Sequence, residues 1–524
     1  MIHQPILVNG EWREASFPVS SFKAVSPLTA RQLPDSFPVS SFLDIDEMLQ
    51  ADSSERDLID RLPFQKRADL LNLIADKIEQ NKEEICQTAH TETGFAIDTR
   101  LEKTELPEML QQLREGAQYC LNRTWREATI DTRKNIRSIR EALHGPVLIF
   151  GPASMPLSRN SCGGMDFACA IASGNSVVSK SNPAHPLTCL KLAQIIHAAL
   201  QELKLPRTLF QFFYNTTQDL GYRLVSHPMI GALAFTGSHK AGMLLKESTD
   251  HSGTLAFFNM TGINPVFWLP ESVNEFRVEL GKELCHAVMS DGGQSCSKPG
   301  VVFLLETKES SNLIKNITDE FNANQCKPLL TEDVARNLDL LVTTFTRLGA
   351  RKLTRKEFYQ PNPFVYPNTV LHIDIKTWLK CSTQFQQEAF GPLVIFVTLE
   401  NETQFAAVVK TLENSMNTTI YAHEAGNDDQ LYNMLEPALR RKSGKLINNH
   451  MPTERAQSQA TVSGGPFPAS VHPGFTATGM PAAIKRFTVL RCYDGVKHDR
   501  LPEDLQSQSP GGFMLRLIDD KYTE

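Results

Sequence analysis

The 524-residue chain carries 53 Lys and Arg against 59 Asp and Glu, a net charge of -6, with 41% hydrophobic and 21% charged residues. Those proportions are ordinary for a water-soluble globular chain and suit two or three domains with ample burial. They exclude the strongly basic profile of a nucleic-acid or anionic-membrane binder, and no apolar run approaches the roughly 20 residues that cross a bilayer. The ten cysteines include no CxxC pair and no His/Cys cluster at ligand spacing, so no metal site is expected. Nine of them (Cys86, Cys120, Cys162, Cys169, Cys189, Cys285, Cys326, Cys381 and Cys492) read as reduced structural thiols. Met1-Ile2-His3-Gln4-Pro5 has neither the basic nor the apolar part of a secretory leader, and a cytoplasmic protein is expected.

Ile6 to Trp12, broken by Asn9-Gly10, predicts a small hairpin. Residues 17–42 are rich in Ser and Pro and read as loop with short strands. Leu70, Leu71, Ile74, Ile78 and Ile85 predict helix between Pro63 and Thr93, and another helix covers Leu101 to Tyr119. Asn135 to Arg140 reads as a strand with one wet face. Pro146 to Phe150, Asn175 to Lys180, Leu209 to Phe213 and Gly231 to Phe235 read as buried strands. Helices at Asp166–Ala172, Thr188–Leu203 and Tyr222–Ser226 fall between them, and that alternation predicts a doubly wound α/β sheet.

Phe235-Thr236-Gly237-Ser238 closes a strand and opens a helix, a turn whose free amides can face a phosphate. A second α/β segment runs from Pro265 to about Leu446, with helices around Glu271–Met289 and Ser311–Ala323. Glu271, Glu275, Glu279 and Glu283 recur every fourth residue and read as one solvated helix face. Asn449 to Phe475 should be irregular, followed by a helix at Ala482–Phe487 and a strand near Val489–Cys492. No internal repeat and no GxGxxG fingerprint is present.

The stretch with the most chemistry is Gly292-Gly293-Gln294-Ser295-Cys296-Ser297-Lys298-Pro299-Gly300, followed by the apolar run Val301 to Leu305. The paired glycines let the main chain approach a ligand and leave amides to face an oxyanion, and Lys298 would favour a thiolate if its charge lay close. Cys296 is the candidate nucleophile.

Taken in order, these words resemble the aldehyde dehydrogenase superfamily over nearly the whole chain, from Asn9-Gly10-Glu11-Trp12 to about Tyr493. The anchors are Gly151 with Pro156, Lys180, Phe235 to Ser238, Gly293-Gln294-Ser295-Cys296 and Glu388-Ala389-Phe390-Gly391-Pro392. Within it, Phe150 to Pro156, Pro183-Ala184-His185-Pro186, Ile263-Asn264-Pro265-Val266-Phe267 and Gly464 to Ala469 resemble the 2-ketoglutarate semialdehyde and bacterial fatty aldehyde branch. The resemblance implies a Rossmann-type nucleotide domain (1–128 and 146–258), an α/β catalytic domain (259–448), and a strand-rich oligomerisation arm with a C-terminal tail (129–145 and 449–524). It also implies oxidation of an aldehyde to a carboxylate with NAD or NADP, through a thiohemiacetal and a thioester on Cys296. Lys180 would hold the adenosine ribose, Gly237 and Ser238 the pyrophosphate, and Glu388 the nicotinamide ribose, with Phe390 packed beside the cofactor.

Two positions depart from the family pattern, and both touch the chemistry. The general-base Glu is replaced by Asn259, whose amide accepts no proton at neutral pH, and the oxyanion Asn aligns with Ser154. Three readings stay open: a slow dehydrogenase using another base, an enzyme passing the acyl group to coenzyme A, and an impaired nucleotide-binding homologue. Pro183 stands where many NAD-preferring relatives carry an acid, so NADP is not excluded, and Lys240 or His239 would be placed to assist it. A cationic pocket would favour a carboxylated aldehyde, whereas Phe257 and Phe258 would suit an aliphatic one. The strands at 135–140 and 485–492 imply a homodimer or homotetramer.

Overall fold

The computed structural model describes residues 3–260, 262–357, 362–453, 458–507 and 514–523. Its first sheet has the spatial order Leu255–Met260, Ala232–Gly237, Val147–Phe150, Val177–Lys180, Phe210–Phe213, Ile6–Val8, Glu11–Arg13. From Leu255–Met260 to Phe210–Phe213 the strands run parallel, and the N-terminal hairpin closes that edge antiparallel. Asn9 and Gly10 make its turn with φ of 52° and 77°, as the Asn-Gly pair predicts. Chain order reverses at Val147–Phe150, whose neighbours are the next strand in sequence on one side and a later one on the other. The carboxyl ends of Val147–Phe150 and Ala232–Gly237 therefore flank a topological switch point, where open α/β sheets bind ligands.

The second sheet has the order Arg351–Lys352, Thr369–Asp374, Leu393–Leu399, Val301–Leu305, Val266–Trp268, Ser415–Tyr421, Ser443–Asn448. Only Arg351–Lys352 is antiparallel to its neighbour. Alternate side chains fill two layers: Phe267, Val301 and Phe303 pack with Trp378 on one face, Trp268, Val302 and Leu304 with Phe396 on the other. That two-sided burial is why these strands read as continuous apolar runs. A third sheet pairs Thr488–Asp494 with Ile136–Ala142, then adds Thr129–Asp131, Arg516–Ile518 and Lys521–Thr523.

Several elements differ from expectation. The helical stretch from Pro63 to Thr93 is two helices, Phe64–Gln80 and Lys82–Thr93, because Asn81 leaves helical geometry (φ -104°, ψ 16°). The helix expected from Leu101 is Leu106–Asn122, preceded by a wider π-helical stretch Ile97–Glu105. Phe276 breaks the Glu271–Met289 stretch into Pro270–Glu275 and Arg277–Met289, so the four glutamates do not share one face. Glu283 is half-buried and accepts from the Tyr421 hydroxyl. Ala482–Phe487 is a 3-10 helix. The helix Phe42–Asp60 had no clear signal, since its buried Ile45, Met48, Leu49 and Ile59 are interrupted by the polar run Asp52 to Asp57. No helix among the described residues is long and apolar enough to cross a membrane.

Candidate active site

The loop leading to Cys296 is held by backbone that only particular residues can adopt. Asp291, Gly292 and Gly293 are all left-handed, with φ of 52°, 67° and 68°. A Cβ on Gly293 would lie 2.4 Å from the Gly391 carbonyl oxygen and 2.6 Å from that of Val288. The close approach that requires glycine is thus to the Glu388–Pro392 turn of the same chain. The buried Gln294 side chain accepts from the Leu330 amide at 2.7 Å and donates to the Asp291 carbonyl at 3.0 Å. Asn264, also left-handed and buried, donates to the carbonyls of Cys296 at 2.8 Å and Lys298 at 3.1 Å, and its own oxygen accepts from Asn417 Nδ2 at 3.1 Å. These bonds fix the turn at whose tip the half-buried Cys296 thiol sits, 3.9 Å from Ser297 Oγ.

Cys296 opens into a cavity of about 110 Å³. Its wall includes Asn259, Thr236, Met155, Asn417, Arg159, Lys445 and a face of the Leu106–Asn122 helix carrying Glu108, Gln112 and Glu115. Asn259 and Cys296 therefore meet as the sequence motifs require, although they come from the last strand of one sheet and the loop before another. Asn259 is 8% exposed; its Nδ2 donates to Ser463 Oγ at 3.2 Å, while Oδ1 has no hydrogen-bond partner among the described residues. Ser154 is buried just outside this wall, to which its neighbour Met155 contributes.

Arg100, unmarked by any sequence motif, ties the loops together. Its guanidinium donates to Glu105 Oε1 at 2.8 Å, to the Ser154 carbonyl at 2.8 Å and to Asp291 at 3.2 Å. Burial alone would lower its pKa, but Glu105, Asp291 and Cys296 together raise it, so it stays a cation. Glu105 Oε2 in turn accepts from the Leu157 amide at 3.0 Å and the Ser158 amide at 3.3 Å.

The residues expected to face a nucleotide, Lys180, Gly237 and Ser238, lie at the carboxyl ends of the strands beside the switch point. Gly237 ends a strand, and exposed Ser238 caps the helix His239–Ser252, its hydroxyl accepting from the Ala241 amide at 3.3 Å. The first turn of that helix is exposed, and a helix N-terminus in such a place suits a pyrophosphate. Lys180 ends the neighbouring strand with Nζ 5.4 Å from the centre of the Phe150 ring; burial pushes its pKa down to about 8, against the opposing charge of Cys189. Behind it the buried Cys189 thiol is 3.4 Å from His185 Nδ1, a paired thiol rather than a plain core filler. Phe390, on the second sheet's side, packs against the core of the first, and half-buried Glu388 lies two residues before it.

Two expectations are corrected here. Lys298 does not serve the thiol: it is 5% exposed, its ammonium donates to the Leu393 carbonyl at 2.9 Å, and Glu388 is the charge that acts on it. Phe257 and Phe258 are core residues outside the Cys296 cavity. Phe257 packs edge-on against Phe475 and Phe487, at 5.2 and 5.9 Å, and Phe258 against Phe235 at 5.7 Å.

A family profile described as "Aldehyde dehydrogenase family" matches residues 12–466. The chain belongs to the aldehyde dehydrogenase family. The alpha-ketoglutaric semialdehyde dehydrogenase 2 of Azospirillum brasilense is 28% identical over 485 residues, covering 90% of this chain and 91% of its own. An alpha-ketoglutaric semialdehyde dehydrogenase of Acinetobacter baylyi is also 28% identical, over 88% of each chain. Among solved structures, lactaldehyde dehydrogenase from Escherichia coli superposes with a TM-score of 0.79 at 17% identity, covering 94% of this chain and 98% of its own. The NADP-dependent glyceraldehyde-3-phosphate dehydrogenase from Bacillus halodurans, solved with NADP, gives 0.77 at 18% identity, covering 94% and 99%. These last two likenesses establish the aldehyde dehydrogenase fold.

Proposed function

We propose that this chain oxidises an aldehyde bearing a carboxylate, with 2-ketoglutarate semialdehyde as the leading candidate, using NAD or NADP. The observation that carries the reading is the meeting of Cys296 with a cavity whose wall holds the cations Arg159 and Lys445; the carboxylates Glu108 and Glu115 lie along one helix of the same wall, so the substrate carboxylate would seat on the Arg159 side. Arg159 is 8% exposed, with Nη1 donating to the Ala477 carbonyl at 2.6 Å, so its charge is held at a fixed place in the wall. The names of the Azospirillum and Acinetobacter relatives agree with such a substrate.

In this reading the Cys296 thiolate adds to the aldehyde carbon, and the Cys296 amide donates to the new oxyanion. Bound nicotinamide supplies the acceptor for the hydride that converts the adduct to a thioester. Residues 1–128 and 146–260 form the nucleotide domain and the chain from there to 448 the catalytic one, the expected boundary at 258/259 moving to the end of the strand Leu255–Met260, which pairs in the first sheet through Asn259 and Met260. Lys180 would donate to the adenosine ribose, the Gly237 and Ser238 amides would hold the pyrophosphate, and Glu388 would accept from the nicotinamide ribose, with Phe390 packed beside the cofactor. Ser154 stands where the usual Asn would be, and its shorter hydroxyl is the candidate second oxyanion donor from just outside the cavity wall. A second reading, transfer of the acyl group to coenzyme A, is favoured by the amide at Asn259, which does not activate water.

Residues 129–145 and 449–524 form the assembly arm and tail. The strand Thr488–Asp494 is an edge of its sheet and exposes Leu490, so a homodimer or homotetramer built through this edge is part of the proposal, as is a cytoplasmic setting. Rapid mixing with NAD⁺ or NADP⁺ and an aldehyde panel tests the reaction. A burst of about one reduced nicotinamide per subunit supports it. Acceleration of the following slow phase by coenzyme A would select the second reading, and no burst with any aldehyde would sink both.

A further inference from the structure

We propose that Glu108 is the general base for hydrolysis of the Cys296 thioester, in place of the carboxylate missing at Asn259. This rests on the acyl-enzyme reading above. The cavity wall around Cys296 contains two carboxylates among the described residues, Glu108 and Glu115, and no histidine. They lie seven residues apart on the helix Leu106–Asn122, hence about 10 Å apart along its axis. Glu115 is half-buried and accepts from the Gln111 side chain at 2.7 Å. Glu108 sits at the other end, one turn past Glu105, which binds the Leu157 and Ser158 amides and, through Arg100, Asp291 of the cysteine loop. The end of the helix that carries Glu108 is thus the end fastened to the catalytic loops.

The environment of Glu108 also suits the role. It is 9% exposed, and its Oε1 accepts from the 2% exposed Gln112 Nε2 at 3.2 Å, one helical turn on. A carboxylate is costly to bury unless it is hydrogen-bonded, and the Gln112 amide supplies that bond here. In the step proposed, Glu108 takes a proton from water as the water oxygen bonds to the thioester carbon. The C–S bond then breaks, the electron pair returns to Cys296 as thiolate, and the carboxylic acid leaves. No oxidant or reductant is consumed.

The test separates acylation from the nicotinamide reaction by using p-nitrophenyl acetate, an activated ester that acylates a thiol and releases a coloured phenolate. Wild type should give a burst of one equivalent per subunit, abolished in Cys296→Ser, then steady turnover limited by hydrolysis of the acetyl thioester. Glu108→Gln should keep the burst and slow the steady phase by roughly 10²-fold, the lower range for loss of general-base catalysis. Adding Asn259→Glu to Glu108→Gln should restore at least 10-fold of that loss. A steady phase in Glu108→Gln equal to wild type overturns the role of Glu108 while leaving the dehydrogenase reading intact. Absence of a burst in wild type overturns the reading itself, and the inference with it. If Glu108→Gln fails to fold, Glu108→Asp carries the test: a full burst with slowed deacylation supports the role, and a wild-type rate overturns it.

Discussion

Arg100 donates to the carbonyl of Ser154 at 2.8 Å while the same guanidinium reaches Asp291 at 3.2 Å, so one cation joins the loop after the first sheet's switch strand to the loop carrying Cys296. Its partner Glu105 is fully buried, and breaking such a pair from one side leaves an uncompensated charge. Arg100→Met should lower stability by about 3–5 kcal/mol in urea denaturation. At temperatures where the variant is folded, it should also slow alkylation of Cys296 by iodoacetamide. Unchanged alkylation alongside the stability loss would restrict Arg100 to a structural role.

Asn264 makes a comparable argument from hydrogen bonds alone. Its amide holds the Cys296 and Lys298 carbonyls and braces Asn417 from a 1% exposed position. Asn264→Ala leaves buried carbonyls without donors, at a cost of about 2–3 kcal/mol. The burst rate with p-nitrophenyl acetate should fall with it, because the turn presenting the thiol is no longer tied. A variant as stable as wild type would mean that water replaces the amide.

Gly293→Ala probes the contact between the cysteine loop and the Glu388–Pro392 turn. The added methyl meets the Gly391 oxygen at 2.4 Å on backbone already at φ 68°, and neither neighbour is a flexible side-chain end. Strain and overlap together should cost about 3 kcal/mol or more. Nucleotide affinity, read by fluorescence quenching, should weaken as well, since Glu388 and Phe390 belong to the displaced turn. Retained stability with lost acylation would instead localise the effect at Cys296.

What the sequence made legible was local. The Asn9-Gly10 hairpin, the buried strands ending at Phe150, Lys180 and Gly237, and the Cys296 loop each announce themselves through turn residues or apolar runs. Asn259 was visible because it departs from a motif. Glu108 and Arg100 were not, because their helices precede Cys296 by most of two sheets and only the tertiary fold brings them to the cavity and its loops. Spacing of Glu108, Gln112 and Glu115 at four and then three residues on a helix did mark one face. Nothing local, however, distinguishes a cavity-facing acidic stripe from a solvated one. The placements of Lys298 and Phe257 failed for the related reason that a side chain's neighbours in sequence need not be its neighbours in space.

Lys298 gives a prediction in pH. It is 5% exposed, and burial pushes its pKa from the usual 10.5 down to about 8, with Glu388 opposing the shift. The folded chain therefore releases this proton before the unfolded chain does. Between about pH 8 and 10.5 the unfolded state binds more protons, and the contribution of Lys298 to stability rises with pH. Below about pH 8 both states are protonated and the full burial cost stands, on the order of 3 kcal/mol. Lys298→Met removes the titration but leaves the Leu393 carbonyl without its donor. The difference in unfolding free energy, wild type minus Lys298→Met, should be flat from pH 6 to about 7.5 and then climb toward pH 10.5 by up to about 3 kcal/mol. Urea denaturation of both proteins across that range measures it. A difference that falls with pH would mean that attraction to Glu388 outweighs desolvation, and that Lys298 is held as a cation to fix the turn carrying Glu388.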